Sequence, residues 1–358
     1  MDTAVIGYPR IGKDRELKFA AEKFFRGEID ENQLQSVASA IRKENLLKQK
    51  EEGITYISSN DFSFYDNVLD TAFLFNIIPQ RYKDLNLSSL ETYFAMARGY
   101  QGAKGNVKAL AMKKWFNTNY HYLVPQIDDD TRIELTGTKP VDEYLEAKSF
   151  GVDTKPSVVG PFTFLKLAKF TGNKTVSDVY QDLTNEYIKL VASLASKGAE
   201  LIEFDEPYLV RDLSNEDIDL FKNIYAPILS NKNGAKILLQ TYFGDVRDIY
   251  DVVTSLDFDA VGLDFIEGRK TAQLVKENGF PDDKILFAGV VNGKNIWRNN
   301  YKTTLALLTK LNAKNVVVNT SCSLLHVPYS LKSETKLKEE YRKHFAFAEE
   351  KLSELNEI

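Results

Sequence analysis

Residues 236–291, KILLQTYFGDVRDIYDVVTSLDFDAVGLDFIEGRKTAQLVKENGFPDDKILFAGVV, decide the fold. Three short β-branched runs, KILLQTY (236–242), AVGLDF (260–265) and ILFAGVV (285–291), alternate there with stretches of helical period. This alternation is the sequence form of repeated βα units. The runs are apolar on both faces, which suits the strands of a buried parallel sheet. Five more runs lie outward of this stretch: ELIEFD (200–205), PSVVG (156–160), NVVVNTS (315–321), TAVIGY (3–8) and ITYISS (54–59). Eight strands with helices between them predict an α/β fold, a closed (β/α)8 TIM barrel. An open doubly wound sheet usually has five or six.

A barrel of this kind needs roughly 250 residues, so about a hundred are surplus. The surplus lies early. Two helices, RELKFAAEKFFRG (15–27) and ENQLQSVASAIRKENLLKQKEEG (31–53), separate the first two runs, and a long segment separates the second from the third. Helices are also expected over 176–198 and, unbroken, over 335–355. No Pro/Gly/Ser linker or low-complexity tract divides the chain, so residues 1–358 read as a single barrel domain with helical N-terminal insertions.

Lys and Arg number 46 against 51 Asp and Glu, a net charge of -5 that repels polyanions at long range. Nucleic acid is therefore not an expected partner. No run approaches the roughly 18 apolar residues of a membrane helix, and the start MDTAVIGYPR has no leader character. A cytoplasmic location without membrane contact is expected. The lone Cys322 excludes an internal disulfide and a cysteine-pair zinc knuckle within one chain.

In such a barrel the strand C-termini and the loops after them face the active site. The residues there are Arg10, Asn60, Asp61, Gly160, Pro161, Asp205, Glu206, Tyr242, Asp264, Asn292, Ser321 and Cys322. Turns favour Asn, Asp and Gly in any case. Asp205 and Glu206 form the sharpest pair. Adjacent strand residues point to opposite faces, so one is expected to line the mouth and the other to form a structural ion pair. Cys322 with His326 falls short of the three or four ligands zinc requires. His121 and His344 lie far off in sequence, His344 in mid-helix at the surface.

Two segments suggest binding. In GYPRIGKDRELK (7–18), Arg10, Lys13, Arg15 and Lys18 could gather around an anion at a helix start, or form a solvated helix end. In KKWFNTNYHY (113–122), aromatic faces, amides and lysines suit a flat anionic ligand. Packing of an insertion onto the barrel explains its aromatics equally well. Nucleotide-loop, zincin and nucleophile-elbow motifs are absent.

These segments, with SSNDFSFYDNVLD (58–70), RGYQG (98–102), KPSVVGPFTFLKL (155–167), EFDEPYLV (203–210), TYFGDV (241–246), AGVVNGKNIWR (288–298) and TSCSLLHVPYSLKSETKL (320–337), resemble the N-terminal domain of cobalamin-independent methionine synthase. The match runs in order along nearly the whole chain. The resemblance implies two face-to-face barrels and methyl transfer from N5 of methyltetrahydrofolate to the homocysteine sulfur, which zinc in the C-terminal barrel binds as thiolate. It assigns the N-terminal barrel a share in holding the triglutamate folate through Arg15, Glu16, Leu17 and Lys18 and through Lys114. The family's zinc ligands and C-terminal catalytic barrel are not found in these residues, and Cys322 resembles the counterpart of one ligand. No catalytic residue, metal or cofactor is thus expected in this chain, which alone should be inactive. The expected partners are 5-methyltetrahydrofolate polyglutamate and a C-terminal barrel in cis or in trans. Two other readings stand beside this one: a non-catalytic folate-binding or docking subunit, and an independent barrel enzyme, similar to uroporphyrinogen decarboxylase, using Asp205, Glu206 and Asp264.

Overall fold

A computed structural model describes all 358 residues. Eight parallel strands form the centre: Thr3–Ala4, Ile57–Ser59, Thr154–Val159, Leu201–Asp205, Lys236–Gln240, Ala260–Asp264, Ile285–Val291 and Asn315–Thr320. Each falls within or overlaps one of the eight runs. Neighbours in sequence are neighbours in the sheet, from the second strand round to the eighth and then the first. The seam closes through a parallel bridge between Ala4 and Tyr56, with Tyr56 N–H donating to Thr3 O at 2.9 Å. The fold is the expected α/β barrel.

The strand parity fixes what fills the barrel. At the N-terminal end, Ala4, Leu201, Leu238, Ala260, Phe287 and Val317 form one apolar cluster. Two residues further along, the inward positions turn polar. Lys155 there forms a buried ion pair with Glu203 and donates to Ser58 Oγ at 2.7 Å and Val5 O at 3.1 Å. Beside it, Asn319 Nδ2 donates to Gln240 Oε1 at 3.1 Å. Gly262 makes room for this, since a Cβ on it would lie 2.2 Å from Gln240 Oε1. Outside the barrel, a 64-residue core packs the covering helices onto the strands.

The early surplus builds a second, 13-residue core of its own, with Leu34, Tyr82, Tyr93, Phe94 and Met96 at its centre. Its helices start on reciprocal caps: Asp30 with Gln33 for Glu31–Glu51, and Ser88 with Glu91 for Ser89–Arg98. The segment 113–122 is not a plain connector. Met112–Lys114 pairs antiparallel with His121–Leu123, so its aromatics sit on a hairpin.

The helix expected over 335–355 is broken. Glu339–Arg342 and Ala348–Glu357 are helical, while Phe345 bridges antiparallel to Trp297 and Ala346 N–H donates to Ile296 O at 2.8 Å. Burial of Ala346 and Phe347 and the stacking of Phe345 on Trp297 at 4.9 Å outweigh the local helical period. His344 lies in the resulting turn rather than in mid-helix, although it is exposed as expected.

Candidate functional site

An open cleft occupies the C-terminal mouth of the barrel. Five of the strand-end residues line it: Arg10, Asn60, Asp61, Asp205 and Tyr242. The hairpin closes one wall with Trp115, Tyr120, His121 and Tyr122, and the loop after the eighth strand adds His326. Of the hairpin aromatics, Trp115 and Tyr122 are buried in the core and also face the cleft.

The floor is acidic. Asp205 is 6% exposed, accepts from Ser157 Oγ at 3.1 Å, and leaves its Oδ1 without a partner. Burial, reinforced by the Glu203 charge, holds its carboxyl well above the usual range. Asp61 accepts the Tyr8 N–H at 2.8 Å, and burial pushes it up to about 6. Asp66 caps the helix Asn67–Leu74 and accepts from Leu123 N–H at 3.1 Å, which ties the hairpin to the mouth; burial pushes it up to about 7. Sequence reasoning missed Asp66, because its place in the cleft depends on how the insertion packs. Arg10 donates from Nη1 to Ser63 O at 3.0 Å and Phe64 O at 3.3 Å. Burial lowers His326 to about 4, so its ring is neutral near pH 7. It stands edge-on to Tyr120 and Phe243, at 5.3 and 5.6 Å, with Nδ1 unpartnered.

Several expectations are revised here. Glu206 does point away from the mouth, but it pairs with no cation. It accepts from Phe162 N–H at 3.0 Å, Thr163 N–H at 2.6 Å and Tyr225 Oη–H at 2.6 Å. Gly160 leaves it space, since a Cβ there would come within 2.2 Å of Glu206 Oε1. Asp264 spends both oxygens on the N–H groups of Phe243, Ile266 and Glu267. Asp205, Glu206 and Asp264 therefore do not converge as an acid/base trio. Asn292 and Ser321 likewise fasten the loop at Gly293 to Asn295.

The basic side chains of 7–18 do not gather around one point. Arg10 enters the cleft, Lys13 pairs with Glu44 at 3.0 Å, and Lys18 lies 3.8 Å from Glu22. Arg15 is exposed, with φ 65° at the start of the helix Glu16–Phe25. Glu16 Oε2 accepts from Asp14 N–H at 3.0 Å, and Leu17 is buried against Ala38, Ile41 and Phe62. Lys114 is exposed on the hairpin strand. No hydrogen bond or ion pair joins it to Arg15 or Lys18, and none of the three lines the cleft.

No three His, Cys, Asp or Glu side chains are placed to hold a metal ion. Cys322 is buried, and burial drives its thiol away from ionisation, the reverse of what a thiolate ligand needs. This donor set does not fit zinc. No helix is long and apolar enough to cross a membrane.

A closed parallel barrel with a polar cleft at its strand C-termini defines the class, a TIM-barrel protein. The family model for the cobalamin-independent synthase N-terminal domain matches residues 2–316, and the chain belongs to that family. Among curated relatives, the 5-methyltetrahydropteroyltriglutamate–homocysteine methyltransferases of Streptococcus suis and Lactococcus lactis subsp. lactis are 55% and 54% identical across the whole of this chain. The chain covers 48% and 47% of these proteins, so it spans about half the length of the relatives it matches. Two solved structures share the fold at 13% identity. One is a putative vitamin-B12-independent methionine synthase from Listeria monocytogenes (TM-score 0.66, covering 100% of this chain and 97% of that one). The other is a B12-independent methionine synthase from Shewanella, solved with selenomethionine (TM-score 0.64, 99% and 95%).

Proposed function

We propose that this chain is the folate-side half of a methyltransferase that moves a methyl group from 5-methyltetrahydropteroyltri-L-glutamate to homocysteine, giving methionine. The observation that carries the reading is the 55% identity, over all 358 residues, to a relative named for that reaction. In this reading residues 1–358 act as one barrel domain in the cytoplasm. They work with a C-terminal barrel, in cis or in trans, that supplies the homocysteine pocket and the zinc. The part proposed for the residues here is binding and positioning.

Arg15, Lys18 and Lys114 are the proposed anchors of the glutamate tail. Their exposure supports this, because cations on flexible stems can meet several carboxylates. Arg10, from the same segment as Arg15, and Tyr120, from the hairpin of Lys114, line one cleft, which supports a ligand lying across that rim. Glu16 fixes the turn through its bond to Asp14, and the buried Leu17 seats the helix.

Each exposed ion pair is worth about two- to five-fold in affinity. Lys18→Ala and Lys114→Ala should therefore weaken triglutamate folate by that factor and monoglutamate folate by less, measured by calorimetry at low salt on the chain joined or mixed with its C-terminal half. Equal losses for both folates would remove these residues from the tail site.

A further inference from the structure

We infer that the barrel-mouth cleft is a small-molecule site of its own, taking an amino-acid zwitterion with its ammonium group on Asp205 and its carboxylate toward Arg10. This goes beyond the folate reading and does not rest on it. The first observation is the orphaned Asp205 Oδ1, an acceptor at the floor of an open cleft on a residue only 6% exposed. A buried carboxylate oxygen with no donor is costly, and structures rarely leave one unless something else supplies the donor. Of the other carboxylates on the cleft, Asp66 is held by Leu69 and Leu123 N–H, Asp70 by Ser63, Tyr93 and Lys139, and Asp61 by Tyr8 N–H.

The second observation is Arg10. Its hydrogen bonds run from Nη1 to backbone carbonyls, which orients the guanidinium while leaving Nε and Nη2 without a protein partner. One free carboxylate and one free guanidinium edge on the same cleft select a compact ligand carrying both charges, because a simple cation would meet Arg10 and a simple anion would meet Asp205 and Asp61. Burial and the Glu203 charge hold the Asp205 carboxyl above its usual range in the empty cleft, and an arriving ammonium would draw it to the ionised form. Trp115, Tyr120 and Tyr122 give the side chain an aromatic wall, on which an apolar or thioether group packs well.

The test is calorimetric titration of the 358-residue chain, free of folate, with L-methionine, N-acetyl-L-methionine and L-methionine methyl ester, repeated on Asp205→Asn. Saturable L-methionine binding is expected, weakened about tenfold or more when either charged end is blocked and by a similar factor in Asp205→Asn. If Asp205→Asn fails to fold, as judged by circular dichroism, the blocked ligands on the unaltered chain decide. Absence of saturable binding into the millimolar range, analogues bound within twofold of L-methionine, or an unchanged Kd in folded Asp205→Asn would each overturn the inference. The folate comparison with Lys18 and Lys114 is unaffected by any of these results.

Discussion

Replacing Lys155 by Met tests the barrel interior most directly. The Lys155 and Glu203 side chains are 1% and 0% exposed, and Lys155 carries the only cation against Glu203. The substitution keeps the side-chain length, removes three hydrogen bonds, and leaves the buried Glu203 without its cation, with Asp205 nearby and its Oε1 already unpartnered. Breaking a buried pair on one side costs about 3 to 5 kcal/mol. That is a large part of the roughly 5 to 15 kcal/mol that holds a domain folded. Urea denaturation at pH 7.5, followed by far-ultraviolet circular dichroism, should show the midpoint fall accordingly. Most of the loss should return in Lys155→Met/Glu203→Leu, where no charge is stranded. The pH dependence has a defined sign. Protonation removes the stranded charge, so the single variant is least handicapped at low pH. The deficit against the unaltered chain should therefore narrow toward pH 4.5. A loss below about 1 kcal/mol, or a double variant no more stable than the single one, would refute the reasoning.

Asp61, Asp66 and Glu206 are all pushed up, to about 6, 7 and 7, so the folded chain holds protons that the unfolded chain releases between about pH 4 and 7. Stability should accordingly fall as pH rises from 5 to 8, and a urea midpoint that rises over that range would contradict it. Glu206→Ala strands two backbone N–H groups and the Tyr225 hydroxyl, and should cost about 2 to 4 kcal/mol while leaving ligand affinity at the mouth unchanged, read by parallel denaturation and titration. In Gly262→Ala the new Cβ displaces the Gln240 amide from Asn319, and thermal denaturation should show a loss of about 1 to 3 kcal/mol.

The barrel was legible because its signals are local. Runs such as ILFAGVV and KILLQTY carry strand character in their own residues, and strand parity sends Asp205 inward and Glu206 outward without knowledge of any partner. Strand-end position likewise picked out Arg10, Asn60, Asp61 and Tyr242. What stayed hidden depends on partners distant in sequence. Nothing near Lys13 announces Glu44, nothing near Asp66 announces the N–H of Leu123, and nothing in 335–355 announces that Trp297 will draw Phe345 out of a helix. The Glu206 contacts belong to this class too, since they join the end of the fourth strand to Phe162, 44 residues earlier on a helix, and to Tyr225 on a later one.

The separation of charge at the mouth bears on both proposals together. The cleft floor carries Asp61, Asp66 and Asp205, already short of solvent, and an anionic tail entering there would raise their cost further. Arg15, Lys18 and Lys114 lie outside that cleft on exposed surface, where a polyglutamate can pair with cations without burying its own charges. A tail on the rim and a zwitterion on the floor are thus compatible in charge, because the tail meets exposed cations and the ammonium meets Asp205. On this arrangement added salt should weaken triglutamate folate much more than L-methionine, since screening acts mainly on exposed charges and least on the buried Asp205.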